Sequence, residues 1–168
     1  MKYKEELLKL QKQMQYFDNT EVLSELNGIA DDAEMYKTES GHIGAVLVYH
    51  QLTEEIVKLL IKWCETIMRL KLYPYRYKMG AVKDEMFGEI MNIYNKSCID
   101  HKNKSNIVRE ANMINKIRIE IAHNITKEYK EYDEIYKKMK THFEKLWDYF
   151  IKSSKWFHSE VKKIELHN

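Results

Sequence analysis

The fold is decided by residues 42–71, whose sequence is HIGAVLVYHQLTEEIVKLLIKWCETIMRLK. Apolar side chains recur in this segment every three or four residues, the spacing that places them on one face of an α-helix. That face consists of Ile43, Val46, Leu47, Ile56, Leu59, Leu60, Trp63, Ile67 and Leu70. We therefore predict a long helix at the centre of a helical bundle. Pro74 ends it, because the proline ring blocks the helix and disfavours a helical residue before it.

Further amphipathic helices are predicted on both sides of this segment, over residues 2–16, 20–36, 84–97 and 107–158. The last range is either one bent helix or two, with the bend at residues 124–126, because Asn and Thr compete for backbone hydrogen bonds. Asn27-Gly28 is a candidate break in the second helix. Residues 18–20 are the expected cap of the second helix, and Ser105 or Asn106 that of the helix that follows the loop at 101–105.

Together these elements predict an all-α protein, an antiparallel up-and-down bundle of five to six helices. Its 168 residues fit a single domain, with N-terminal helices in residues 1–36 and the bundle core in residues 40–158. The single proline and five glycines agree with this fold class. The net charge of +2 argues neither for a nucleic-acid-binding protein nor for one that binds acidic ligands.

The cysteine and histidine patterns predict no bound metal or cofactor. Cys64 and Cys98 lie far apart and form no CxxC motif, and the histidines have no ligand spacing with cysteines or carboxylates. The N-terminal sequence lacks the apolar core of a signal peptide. Charged residues such as Glu54 and Lys58 interrupt the most apolar segment, which argues against a membrane span. We expect a cytoplasmic protein.

Arg118 and His123, separated by four residues, are the candidate chemical groups. A guanidinium that is always charged can hold a phosphate, and an imidazole that titrates near neutral pH can move a proton. With about 100° per residue and Ile107 at zero, Arg118 falls at about 20° and His123 at about 160°. The wheel therefore predicts that Arg118 faces the core, where it would need an anion, either a phosphate or the carboxylate of Glu54 or Glu55.

The segment INKIRIEIAHN, residues 114–124, resembles the R-x-x-x-x-H motif of the HEPN superfamily. Arg118 and His123 match its two defining positions. The segment GAVLVYHQLTEEIVKLLI, residues 44–61, is similar to the long helix of HEPN-like proteins of the mannitol-repressor type. The resemblance covers residues 40–127. It implies a helical bundle, usually a homodimer, whose motif lines the dimer cleft.

For active members of this superfamily the resemblance implies a metal-independent endoribonuclease, as in toxin or defence systems. His123 would be the general base or acid at the ribose 2′-hydroxyl, Arg118 would hold the phosphate, and Asn124 would contact RNA. Ile119 and Ile125 stand where many nuclease members have polar residues. The alternative is a non-catalytic regulator of the mannitol-repressor type that binds another protein.

The loop sequence YPYRYK, residues 73–78, alternates aromatic rings with cations. Single-stranded nucleic acid is often held in this way, with bases on rings and phosphates on Lys or Arg. Tyr75, Arg76 and Lys78 are therefore candidate RNA-binding residues. The alternative is that the tyrosines pack on the bundle and leave their hydroxyl groups in water.

Overall fold

The computed structural model describes residues 2–15, 20–80, 85–123 and 129–166. Within these ranges the regular structure consists of six helices and no strand, which confirms the predicted all-α bundle. The helices are α1 (Lys2–Gln15), α2 (Thr20–Met35), α3 (Glu39–Lys71), α4 (Phe87–Lys96), α5 (Lys104–His123) and α6 (Tyr129–Lys163). No helix in these ranges is long and apolar enough to cross a membrane.

Helix α3 is the central helix, as predicted, because it packs against each of the other five. The Thr38 hydroxyl caps its start by accepting a hydrogen bond from the Gly41 amide at 3.1 Å. At Gly41 α2 and α3 approach so closely that a Cβ would lie 2.7 Å from the Ala33 carbonyl oxygen. Only glycine fits this corner without a shift of the backbone.

Side-chain contacts show how the neighbouring helices run relative to α3. The rings of His50 and Phe87 lie 4.8 Å apart, and the Ser97 Oγ lies 3.7 Å from the Cys64 Sγ. Because both sequences increase along the same direction, α4 runs parallel to α3. A strict up-and-down order is therefore not confirmed, since the chain returns between α3 and α4 to the level of His50.

Several helix ends differ from their predicted positions. Helix α5 begins at Lys104, so the predicted caps Ser105 and Asn106 lie within its first turn. Helix α2 is continuous through Asn27-Gly28, and α6 extends to Lys163. The predicted bend at residues 124–126 and most of the predicted cap of α2 lie outside the described residues.

Aromatic rings hold α6 against α3. Trp63 is buried and stacks on Phe150, with 5.7 Å between ring centroids. It also contacts Phe157, whose ring centroid lies 5.5 Å from that of Trp63. Near the start of α3, the rings of His42 and Tyr136 stack at 4.8 Å. These contacts fix the level of α6 along α3, and with it the position of the α5 helix that α6 supports.

Candidate functional site

Arg118 is exposed on the surface of α5, so the prediction that it faces the core is wrong. The preceding Ile117 is buried, as is Ile121, whereas Ala122 is exposed like Arg118. On an ideal helix the two isoleucines lie, on average, about 60° from the direction of Ile107. The buried face has thus rotated away from Arg118 over the last two turns of α5. A helical wheel with one fixed core direction misses such a rotation.

His50, a half-buried residue of α3, lies beside the Arg118 side of α5. Its Nε2 is 3.2 Å from the Asn115 Oδ1, one helical turn before Arg118. Because a carbonyl oxygen only accepts, Nε2 carries the proton and donates, which assigns Nδ1 as the unprotonated nitrogen of the neutral ring. The Phe87 ring of α4 covers another side of the imidazole. No local signal in the sequence singles out His50, because its partner Asn115 is 65 residues away along the chain.

The pKa of His50 is lowered from its usual value. Burial is the largest cause, because it disfavours the charged ring, and the positive charge of Arg118 acts in the same direction. The hydrogen bond with Asn115 and the charge of Glu54 raise the pKa but are outweighed. His50 is therefore a neutral imidazole at pH 7, able to accept a proton.

Glu54 and Glu55 form ion pairs with Lys58 and not with Arg118. The Lys58 Nζ lies 2.6 Å from the Glu54 Oε1 and 3.2 Å from the Glu55 Oε1. The spacing of three and four residues on one helix places these groups side by side. In the described part of the chain Arg118 makes no ion pair with a carboxylate. Its charge is consequently available to an external anion.

His123 is the last residue of α5 and is exposed. It lies about 140° around the helix from Arg118 on ideal geometry. On this geometry the two side chains do not share a face of α5. Asn124 lies outside the described residues, and its contact with RNA stays a prediction.

The loop residues Tyr75, Arg76 and Lys78 are exposed next to the start of α1. The guanidinium carbons of Arg69 and Arg76 lie 5.7 and 5.4 Å from the centre of the Tyr3 ring. The Tyr3 hydroxyl donates a hydrogen bond to the Tyr75 carbonyl oxygen at 3.4 Å. This loop thus anchors α1, while RNA binding by its three exposed residues stays a prediction.

The loop before α5 is more deeply buried than its polar sequence indicates. His101 and Lys104 are each only 8% exposed. The His101 Nε2 lies 2.8 Å from the Tyr94 hydroxyl, and its Nδ1 lies 3.4 Å from the Ser153 Oγ of α6. The Lys104 ammonium donates to two carbonyl oxygens of this loop at 2.7 and 3.1 Å. Because the hydrogen bonds of His101 and Lys104 are made within the protein, these two side chains fix the start of α5.

A second polar contact joins α5 to α6. Glu110 is 2% exposed, and its carboxylate accepts hydrogen bonds from the His142 Nδ1 at 2.7 Å and from the Arg109 guanidinium at 2.7 and 2.9 Å. Burial raises the pKa of Glu110, but these two partners outweigh burial, and the net pKa is lowered. The carboxylate therefore stays charged in the folded protein and joins α5 to α6.

Among the described residues no three His, Cys, Asp or Glu side chains are grouped so that they could hold a metal ion. Neither Cys64, which is buried, nor the exposed Cys98 forms a disulfide. Comparison with protein-family models, curated proteins and solved structures finds no significant match to this chain.

Proposed function

We propose that this chain is an HEPN-like, metal-independent endoribonuclease that acts as a homodimer. The observation that carries the proposal is the state of Arg118, which is exposed and unpaired with any carboxylate in the described part of the chain. A buried guanidinium locked to Glu54 would have been a structural group. An exposed guanidinium beside His50 and on the same helix as His123 can instead meet a phosphodiester.

The reaction that these groups support is transfer of the scissile phosphate to the ribose 2′-oxygen. A neutral imidazole takes the 2′-hydroxyl proton, the 2′-oxygen bonds to phosphorus, and the bond to the 5′-oxygen breaks. A protonated imidazole gives the 5′-oxygen its proton. Arg118 holds the phosphate and offsets the charge that develops on its oxygens. The products are a 2′,3′-cyclic phosphate and a 5′-hydroxyl.

The angle between the two motif residues supports the proposed homodimer. On ideal geometry Arg118 and His123 lie about 140° apart around α5, so a single subunit would need a long reach by Arg118 to bring both to one phosphate. Two copies related by a two-fold axis can place Arg118 of one opposite His123 of the other. The exposed Leu47 and Ile119 add apolar surface on the two helices that carry this side of the protein.

The test is cleavage of a single-stranded RNA by purified protein in EDTA. We expect Arg118→Ala and His123→Ala each to lower the rate by about 100-fold or more, because each removes a group that acts on the reacting phosphate. Lys155→Ala is the matched control, an exposed cation on α6, and should cleave like the wild type. Circular dichroism verifies that all variants fold. Cleavage that survives His123→Ala would contradict the proposal.

The alternative function, a regulator of the mannitol-repressor type that binds another protein, is favoured by a cleft of about 730 Å³ flanked by α2 and α6. In the described residues no Cα atom of α2 lies within 8 Å of one in α6, and the aromatic rings of Tyr49, Phe143, Trp147 and Phe150 line the space. For this function we expect no RNA cleavage by the wild type. Trp147→Ala, rather than His123→Ala, should then weaken binding of the partner protein.

A further inference from the structure

The site around Arg118 contains an imidazole from its own chain that is not part of the R-x-x-x-x-H motif. His50 reaches it from α3, and Asn115 from α5 holds the ring through the 3.2 Å hydrogen bond. Asn115 and Arg118 are three residues apart, so their side chains are neighbours on one face of α5. Arg118 and His50 thus flank Asn115 on the side of α5 that is not buried.

The hydrogen bond to Asn115 fixes which nitrogen of His50 can react. With Nε2 donating to the amide oxygen, Nδ1 holds the free lone pair. In the described part of the chain Nδ1 has no hydrogen-bond partner, and it is not among the fully enclosed side-chain atoms that lack one. A lone pair that is oriented and unprotonated, on a ring that is only half-buried, is what a general base requires.

We propose that His50 is a catalytic residue of this site, an inference that rests on the ribonuclease function proposed above. It contacts the phosphodiester that Arg118 holds and is the general base. His50 Nδ1 takes the 2′-hydroxyl proton, the 2′-oxygen bonds to phosphorus, and the phosphorus–5′-oxygen bond breaks. His123, protonated, gives its proton to the leaving 5′-oxygen. The assignment separates two roles that the motif alone leaves on one histidine.

The surroundings of His50 favour this role over that of the acid. From α5 it faces the Arg118 charge and the Asn115 amide, and from α4 it faces the uncharged Phe87 ring. Glu54, on α3, is the carboxylate that acts on it, and this group is ion-paired with Lys58 at 2.6 Å. A proton on the ring is therefore disfavoured until a negatively charged phosphate arrives.

The first test is whether inorganic phosphate binds beside His50. It is measured by NMR titration of the histidine rings in the wild-type protein, with and without phosphate. We expect saturating phosphate to raise the pKa of His50 by about one unit, because a bound anion stabilises the imidazolium. Arg118→Gln should weaken the binding of phosphate, measured by the same titration, about tenfold or more. His158 is the matched control: it is half-buried with a pKa that burial lowers, and it packs on Trp63. Its pKa should not respond.

The second test is the pH dependence of RNA cleavage. His50→Gln should lower kcat by about 100-fold and remove the fall of kcat/KM on the acidic side, since the base is gone. His158→Gln should leave both unchanged. If the wild type cleaves RNA and His50→Gln keeps the same rate and pH profile, the inference is wrong while the ribonuclease function stands. If no RNA is cleaved by the wild type, the proposed function fails. A His50 pKa that does not change when phosphate is added also overturns this inference.

Discussion

The burial of His101 predicts a specific loss of stability in mild acid. Burial is the main cause that lowers the pKa of His101 to about 4, and the positive charge of Lys104 adds to it while Asp100 opposes it. In the unfolded chain the pKa returns to about 6.5. Because the unfolded state then binds more protons, the fold loses stability as the pH falls below about 6.5, until the folded group titrates near pH 4.

The size of this effect follows from the two pKa values. Between pH 7 and pH 5 the proton-binding difference of one such histidine removes about 2 kcal/mol from the free energy of unfolding. His50 and His158 also have lowered pKa values and lose stability in the same direction. Their share is common to the wild type and to a His101 variant, so a comparison of the two isolates His101.

The assay is urea unfolding followed by tryptophan fluorescence at pH 7 and pH 5, for the wild type and His101→Gln. We expect the wild type to lose about 2 kcal/mol more than the variant over this interval. His123→Gln, which removes an exposed histidine, should retain the wild-type pH dependence. The reasoning is refuted if His101→Gln loses stability as steeply as the wild type, or if the His101 ring titrates near pH 6.5 by NMR.

Two further predictions concern the packing that positions α5 and α3. Gly41→Ala should lower the melting temperature, because the added Cβ would lie 2.7 Å from the Ala33 carbonyl oxygen. Gly28→Ala should raise the free energy of unfolding by about 0.5–1 kcal/mol, because its Cβ would have no atom within 4 Å and alanine favours the helix over glycine. Equal effects of the two substitutions in thermal unfolding would count against the close approach. Glu110→Gln should cost about 1–3 kcal/mol in urea unfolding, because it removes a charged acceptor of the His142 hydrogen bond; a loss below about 0.5 kcal/mol would contradict a structural role.

The helices could be predicted from the sequence because their apolar spacing is a local signal. Residues 42–71 have this spacing over eight turns, and α3 indeed spans Glu39–Lys71 at the centre of the bundle. The parallel course of α4 was missed, because a sequence pattern indicates which face is apolar but not which neighbour covers it. The direction of α4 depends on long-range contacts such as that between His50 and Phe87.

The candidate site was only partly accessible to the same reasoning. Arg118 and His123 stand out as a motif, but the exposure of Arg118 depends on a rotation of the buried face of α5 that no local spacing encodes. His50 occurs in an apolar segment, and its partner Asn115 is 65 residues away along the chain. His101 is likewise covered by α6, where its contact Ser153 is 52 residues away along the chain, so its polar neighbours in sequence do not indicate its burial.

The most direct test of the proposed shared catalytic site is to mix two variants that each lack one of its residues. If the proposed homodimer forms, Arg118→Ala and His123→Ala proteins that are refolded together in equal amounts give heterodimers, in which one of the two sites has Arg118 from one chain and His123 from the other. The account predicts that the mixture recovers about a quarter of the wild-type RNA cleavage rate in EDTA, since about half of the dimers are mixed and each has one intact site. A mixture as inactive as either variant alone would contradict it.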